Sequence, residues 1–293
     1  MTKKYGLYKY LQFGLAGFVS WLIVSIFTSK TLAQQSNIVP DNTLGAESSQ
    51  VIGNFQGQSI EVITGGATRQ INLFHSFREF NVSGGRGAYF FIPNASIANV
   101  LTRVTGSNRS EILGALGTIQ VVGDNFAPSN ANLFLINPNG IIFGENSRLD
   151  VGGLFVATTA NGIQFGAHGS LSTSGSQPSQ LLTINPSAFL FNQINAAPII
   201  NLSRTVNNTN PSVIDGIQVT NGRSLLFLGG NITFNGGVLN APEGQIELGG
   251  LAERGIVRLN IDGNNLDLIF PIDVLKANIL FSNKASLNIA VLA

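Results

Sequence analysis

Short apolar runs, each about the length of one strand, recur along the chain and are separated by residue pairs that favour tight turns. The pairs include Gly65-Gly66, Gly84-Gly85, Asn139-Gly140 and Asp262-Gly263, and both Gly and Asn readily adopt the positive φ that such turns require. Helical periodicity is hard to find after Ala33. The pattern therefore predicts an all-β fold. Its apolar runs lie at 59–64, 87–92, 118–122, 132–136, 140–143, 153–158 and 224–228.

One internal repeat favours stacked coils over a sandwich of long strands. The triplet Leu228-Gly229-Gly230 returns as Leu248-Gly249-Gly250, an offset of 20 residues that we interpret as one coil. We therefore predict a right-handed parallel β-helix, or β-solenoid, while a β-sandwich with similar alternation stays open. Unpaired strand edges at the first coil would promote aggregation. Residues 34–80 are accordingly predicted to form an N-terminal cap and residues 81–293 the β-helix.

Charged residues are scarce in this chain. They make up 11% of it, against about 25% in an average soluble domain, which excludes a coiled coil and a charged disordered tail. The formal net charge of +1 depends on four lysines within the first 33 residues, and without them 12 basic residues face 15 acidic ones. No basic stripe remains, so nucleic acid is not a predicted partner.

The first 33 residues have the organisation of a secretory signal peptide. Lys3, Lys4 and Lys9 precede an apolar run at 11–27, and small residues follow it at the end of the segment. This order predicts cleavage after Ala33 and only transient contact with the inner membrane. A retained membrane anchor is the alternative, because the apolar run approaches the roughly 17–25 residues that span a bilayer.

Two later segments carry unusual residue patterns, and the first is NLFHSFREFNV at 72–82. Its Phe residues recur at every third position, which fits either a helical turn or a packed strand. We favour aromatic side chains that close the end of the core over a ligand pocket. This cap motif comprises Phe74, His75, Ser76, Phe77, Phe80 and Asn81.

The second segment is ANLFLINPNGIIFG at 131–144. Asn137, Pro138, Asn139 and Gly140 have the side chains that a β-turn prefers at its four positions, and Ile141 begins the next apolar run. By itself, this pattern predicts a structural turn between two strands.

Together the motifs resemble the N-terminal secretion domain of the filamentous haemagglutinin family, the exported partner in two-partner secretion. LFHSFREFNV, RVTG at 103–106, EILG at 111–114 and NLFLINPNGIIFG follow one another in the family's order, and NITFNGGVLNAPEGQIELGG at 231–250 comes later. The resemblance covers nearly the whole chain after Ala33 and is greatest to cyanobacterial members. The family's earlier NPNL-type motif is reduced to Pro93-Asn94, so no role of that motif carries over.

The resemblance implies how such a chain works. A family member crosses the inner membrane by its signal peptide, stays largely unfolded in the periplasm, and is recognised by the periplasmic domains of an outer-membrane β-barrel transporter. It then folds at the cell surface and serves in adhesion, with host or surface glycans as further partners. Asn137, Pro138, Asn139, Gly140 and Ile141 match the family's NPNGI motif, which is linked to secretion. We favour a folding role for this turn over direct contact with the transporter, and both stay open.

Evidence for catalysis is weak, and we predict no enzyme activity, no catalytic residue, no cofactor and no metal. His75 and His168 are the only histidines, and the absence of cysteine excludes thiolate chemistry. A carbohydrate-binding or carbohydrate-cleaving β-helix is the alternative function, with paired carboxylates as its route. The candidate carboxylates are Asp215, Glu243, Glu247, Glu253, Asp262 and Asp267.

The last residues of the chain, 287–293, have the sequence pattern of an apolar strand with no polar cap. Since family members usually continue through many more coils, the sequence predicts a truncated or split reading frame.

Overall fold

The computed structural model describes residues 34–123, 125–207 and 210–290. The predicted signal peptide at 1–33, with its cleavage site after Ala33, lies outside the described residues. Within them the fold is all-β, as the turn and run pattern predicts, with two 3₁₀ turns at Gly45–Glu47 and Phe55–Gly57. No helix in the described ranges is long and apolar enough to cross a bilayer.

Strands account for the regular structure. They are β1 (Asn37–Pro40), β2 (Ser49–Gly53), β3 (Ile60–Gly65), β4 (Ala67–Arg69), β5 (Asn72–Asn81), β6 (Gly87–Phe91), β7 (Asn99–Val104), β8 (Ser110–Ile112), β9 (Ala115–Val122), β10 (Asn125–Pro128), β11 (Asn132–Ile136), β12 (Ile141–Phe143), β13 (Arg148–Asp150), β14 (Phe155–Thr158), β15 (Gly162–Gln164), β16 (Ser170–Ser172), β17 (Ala188–Phe191), β18 (Ile199–Asn201), β19 (Ile217–Gln218), β20 (Leu225–Gly229), β21 (Ile232–Asn235), β22 (Val238–Asn240), β23 (Ile246–Gly250), β24 (Gly255–Asp262), β25 (Asn265–Ile269), β26 (Ile279–Ser282) and β27 (Ser286–Asn288).

Parallel ladders organise most of these strands. The central sheet has the order β1-β5-β7-β11-β14-β20-β23, and it is parallel from β5 to β23. A second sheet stacks β3, β6, β9 and β13 in parallel. A third stacks β8, β12, β18, β21 and β26 in the same way. Along these parallel ladders, the chain leaves a sheet after each strand, visits another sheet, and then returns beside the strand that it left.

The N-terminal segment closes the first edge of the central sheet. Strand β1 pairs antiparallel with β5, and β4 pairs antiparallel with it as well. On the second sheet, β2 pairs antiparallel with β3. These pairings occupy backbone groups that an open edge would otherwise present to other chains.

Side chains alternate between the two faces of the central sheet. The inner face belongs to the main core cluster, which we call the inner cluster. Its successive rungs are Leu73, Val100, Leu133, Phe155 and Leu225. An aromatic column begins inside this core and ends at Phe281, which is 42% exposed. Its members are Phe143, Phe227, Phe234 and Phe281, with ring centroids 5.1, 6.3 and 4.6 Å apart in turn.

The outer face of the same sheet is buried too, which the sequence pattern does not predict. This face carries a second core cluster, which we call the outer cluster; its members on the central strands are Phe74, Leu101, Phe134, Val156 and Leu226. An antiparallel sheet of order β16-β15-β17-β24-β25 covers it, and this sheet and the residue that follows β15 contribute further large apolar side chains to that cluster. They include Ile163, Phe165, Phe189 and Val257. Burial on both faces explains why the central strands are continuously apolar.

The 20-residue coil inferred from the Leu-Gly-Gly repeat is wrong by one residue. In the ladder, Phe227 pairs with Leu248, and Leu228 pairs with Gly249, so paired positions differ by 21. Because side chains in a strand alternate with a period of two, a slip of one residue exchanges the faces. Leu228 accordingly lies in the outer cluster, whereas Leu248 packs against the inner one.

Candidate functional site

The turn at 137–140 is closed by its own side chains and backbone. The Gly140 amide donates to the Asn137 carbonyl at 3.2 Å, and the Asn139 amide donates to the Asn137 side-chain oxygen at 2.9 Å. Gly140 has φ 111°, a left-handed value that favours glycine. The residues therefore form the β-turn that their order predicts.

Hydrogen bonds join this turn to the preceding corner of the chain. The Asn137 side-chain amide donates to the Asn108 carbonyl and to the Ser110 hydroxyl, both at 3.0 Å. The Asn139 side-chain amide donates to the Gly106 carbonyl at 2.8 Å. We call Gly106, Asn108, Ser110, Asn137 and Asn139 the corner cluster. Since Asn137 is fully buried, its side-chain amide is not displayed to solvent.

The next corner also contacts the turn. The Ile141 amide donates to the Pro198 carbonyl at 3.2 Å, and the Gln193 side chain donates to the Pro138 carbonyl at 3.3 Å. The turn is thus held between a corner that precedes it in sequence and one that follows it.

The cap motif lies on strand β5, and a bulge explains its spacing. Val39 pairs with Glu79 and Pro40 pairs with Phe77, so Arg78 has no partner on β1. This extra residue turns both Phe77 and Phe80 towards the inner core, whereas Phe74 faces the outer cluster. The three-residue period therefore reflects a bulged strand; a helical turn is not formed.

The two motifs meet through the residues between them. The Thr105 amide donates to the Phe77 carbonyl at 2.8 Å, and the Glu111 amide donates to the Asn81 side chain at 2.9 Å. A Cβ at Gly106 would lie 2.1 Å from the Arg78 carbonyl oxygen, so only glycine fits there. The segment 104–111 therefore contacts β5 on one side and, through the corner cluster, the 137–140 turn on the other.

A buried polar network links Ser76 of the cap motif to Arg103 and Thr105 of the RVTG segment and to two residues that no sequence motif includes, Asp41 and Thr43. Arg103 is fully buried; its guanidinium donates to the Ser76 and Thr43 hydroxyls, each at 2.9 Å. Both hydroxyls donate onward to the Asp41 carboxylate, at 2.9 and 2.6 Å. The Thr105 hydroxyl donates to the same carboxylate at 2.5 Å. The network fastens the segment before β2 onto β5 and β7.

The pKa values of the two charged groups reflect this environment. Burial lowers the pKa of Arg103 to about 10, and the negative charge of Asp41 acts against that shift. For Asp41, partial burial acts to raise the pKa, but the hydrogen bonds from Thr105, Thr43 and Ser76 together outweigh it and lower the pKa. Both groups therefore stay ionised at neutral pH.

His75 lies in the apolar interior. It is fully buried, its ring centroid is 5.1 Å from that of Phe90, and its Nδ1 lies 3.0 Å from the Ser49 hydroxyl. Burial lowers its pKa to about 3. The imidazole is neutral in the fold and shielded from solvent, which does not fit an acid–base catalyst.

We expect this burial to make stability depend on pH. Below the unfolded pKa of about 6.5, the unfolded chain binds a proton at His75 that the folded chain excludes, so the free energy of unfolding falls by about 1.4 kcal/mol per pH unit. The loss begins near pH 6.5 and continues towards the folded pKa of about 3. Urea unfolding at several pH values between 7.5 and 4.5 measures it. His75→Gln should flatten this slope and His168→Gln should not, because His168 is exposed; equal slopes in both variants would contradict the assignment.

The other candidate groups for chemistry are not brought together into one site. Glu253 accepts a hydrogen bond from the Leu275 amide at 2.7 Å, Glu247 accepts one from Gln245 at 2.6 Å, and Asp262 and Asp267 lie exposed on the hairpin of β24 and β25. Glu243 has φ 56° and lies in a turn. In the described ranges, no three His, Asp or Glu side chains lie close enough together to hold a metal ion.

Comparison with known proteins agrees with this architecture. A Haemophilus influenzae structure, the HMW1 secretion domain, superposes with a TM-score of 0.52 at 20% identity, covering 88% of this chain and 55% of that one. The heme/hemopexin-binding protein of Haemophilus influenzae is 29% identical over 142 residues, which are 48% of this chain and 14% of that protein. The aligned part is thus a small fraction of the relative's length. The family model described as the TPS secretion domain matches residues 36–289, and the chain therefore belongs to the family of two-partner secretion domains.

Proposed function

We propose that this chain is exported through a cognate outer-membrane β-barrel transporter whose periplasmic domains recognise it before it folds. The observation that carries the proposal is the family match over residues 36–289. A two-partner secretion exoprotein is secreted across the outer membrane, and the proposed route passes through the periplasm to the cell surface. The residues of the sequence motifs support placing the chain with the cyanobacterial members of the filamentous haemagglutinin family. Its activity at the cell surface would then be adhesion of the type found in that family.

We further propose that the parallel ladders are the faces of a right-handed β-helix that grows from its N-terminal end. Residues 34–80, as its cap, would form first, because β1 and β4 close the edge of β5. Later rungs then add on the side of β7. Stacking in one direction suits a chain that emerges from a transporter, since each new strand finds a preformed edge.

The corner cluster supports a folding role for Asn137, Pro138, Asn139, Gly140 and Ile141. Asn137 is fully buried, and its side-chain amide is directed to the preceding corner. Its hydrogen bonds can form only when two successive turns of the chain are stacked. We infer that the motif promotes secretion by stabilising the addition of one coil to the previous one.

Export of a double variant tests this proposal. Asn137→Ala with Asn139→Ala removes the side-chain hydrogen bonds of the corner cluster, each worth about 1–3 kcal/mol when a buried partner is left unsatisfied. We expect slower refolding and a large loss of secreted protein when the chain is co-expressed with its transporter. Asn146→Ala is the matched control, because Asn146 is exposed one corner further along, and it should be exported normally.

A binding measurement separates the two roles of the motif. If the turn acts through folding, the urea-unfolded double variant binds the transporter's periplasmic domains as well as the unfolded parent chain does. Loss of that binding with unchanged refolding would instead assign the motif to direct recognition. Normal export of the double variant, or export without the transporter, would overturn the proposal.

A further inference from the structure

The second sheet is interrupted at one place, and a cleft lies at the interruption. Strand β13 pairs with β9, but it does not pair with β19, which instead forms a separate parallel sheet with β22 and β27. Side-chain hydrogen bonds connect the segments that flank β13 with the segments that flank β19. The hydroxyls of Ser203 and Thr205 each donate to the Ser147 carbonyl at 2.6 Å, and Thr220 donates to the Val151 carbonyl at 3.1 Å.

Between these bridges the cleft has a volume of about 460 Å³. Pockets that bind small organic ligands measure about 300–1,000 Å³. Parts of β13 and β19 also lie within 8 Å of one another, measured between Cα atoms, whereas a strand inserted between two others needs about 9.6 Å. The cleft is therefore suited to a small ligand and is too narrow for an added peptide strand.

Polar groups and one aromatic wall line the cleft. The lining includes Tyr89, Phe126, Arg148, Asp150, Asp215 and Gln218. Phe126 is 43% exposed, and its ring is held edge-on to Phe55 with centroids 5.4 Å apart. It thus presents an apolar surface whose orientation is set by a neighbour.

The two carboxylates of the cleft are held in position. The Tyr89 hydroxyl donates to Asp150 at 2.6 Å, and burial, followed by this hydrogen bond, raises the pKa of Tyr89 so that it stays protonated. The Asn207 side-chain amide donates to Asp215 at 2.9 Å, and the Asp215 amide donates to the Thr205 carbonyl at 2.8 Å. Each carboxylate retains further acceptor capacity.

We propose that this cleft binds one or two rings of a neutral oligosaccharide. Asp150 and Asp215 would accept hydrogen bonds from sugar hydroxyls, Gln218 would offer both a donor and an acceptor, and Phe126 would pack against the apolar face of a ring. Two carboxylates and one guanidinium leave the lining with a net negative charge, which disfavours anionic sugars. Binding at this site does not depend on how the chain is exported.

Glycan binding by the purified chain tests the proposal. The chain is applied to an array of neutral and acidic glycans, and the neutral glycan that binds best is then titrated by calorimetry. We expect Asp215→Asn and Phe126→Ala each to weaken binding at least about tenfold, because each removes one of the direct contacts. Asp267→Asn is the matched control; Asp267 is exposed on β25, and this variant should bind normally.

Export of the same variants shows whether they fold. Asp215→Asn and Phe126→Ala should be secreted at the level of the parent chain, so a loss of glycan binding would not reflect misfolding. The proposal is overturned if no neutral glycan is retained, if acidic glycans bind better than neutral ones, or if both variants bind as tightly as the parent. None of these results bears on recognition by the transporter.

Discussion

Replacing Arg86 with Met is expected to lower the free energy of unfolding by about 3–5 kcal/mol. Arg86 and Glu61 form an ion pair at 2.5 Å, with only 2% and 1% of their side chains exposed, and the Arg86 Nε also donates to Glu61 at 2.7 Å. Removing the guanidinium leaves the Glu61 carboxylate buried without its counter-charge. Desolvation of that carboxylate is the cause of the loss.

Two further variants make the result specific. Glu61→Gln combined with Arg86→Met should be more stable than Arg86→Met alone, because no charge is then left buried. Arg109→Met should change the free energy of unfolding by no more than about 1 kcal/mol, because an exposed pair contributes little. The side chains of Arg109 and Glu111 are 57% and 42% exposed. Equal losses in Arg86→Met and Arg109→Met, measured by urea unfolding, would contradict the buried-pair assignment.

Replacing Phe134 with Ala is expected to lower the free energy of unfolding by a similar amount, about 3–5 kcal/mol. Phe134 is fully buried on the outer face of the central sheet. It lies between Leu101 and Val156 in the ladder, beneath the antiparallel sheet. The truncated side chain would leave a cavity between two sheets that are each held by backbone hydrogen bonds and cannot collapse freely.

The matched control is a phenylalanine that is not enclosed. Phe126→Ala should cost about 1 kcal/mol or less, because much of the ring remains in contact with water; Phe126 is 43% exposed. Urea unfolding of both variants measures the difference. A small loss for Phe134→Ala would mean that the antiparallel sheet does not cover the central one in solution.

Local sequence patterns predict those parts of the fold that depend on neighbouring residues. The Asn137–Gly140 turn follows from the side chains at its own four positions. The all-β class follows from strand-sized runs between turn-forming pairs. The hydrogen-bond partners of this turn do not follow from the local sequence, because the Asn137 side chain donates to Ser110, which is 27 residues away along the chain.

The features of the structure that the sequence patterns misplaced or missed share one cause. Glu61 and Arg103 each lie among apolar residues, and the local sequence gives little indication that their charged side chains are buried. The reason is that the groups that form hydrogen bonds with them come from distant segments. The Arg103 guanidinium, for example, donates to the Ser172 carbonyl at 2.6 Å across 69 residues. The bulge at Arg78 depends in the same way on pairing with β1, and no local period encodes it.

The sequence by itself determined the class of structure, the positions of the turns and the motifs that place the chain among two-partner secretion domains. Each of these depends only on residues that are neighbours along the chain. Only the tertiary structure decided the 21-residue register of β20 and β23, the antiparallel sheet over the central one, and the cleft between β13 and β19. Those features depend on which strands meet across long separations. Strand pairing is set by packing and by the geometry of the corners, and alternation within a strand leaves the choice of partner undetermined.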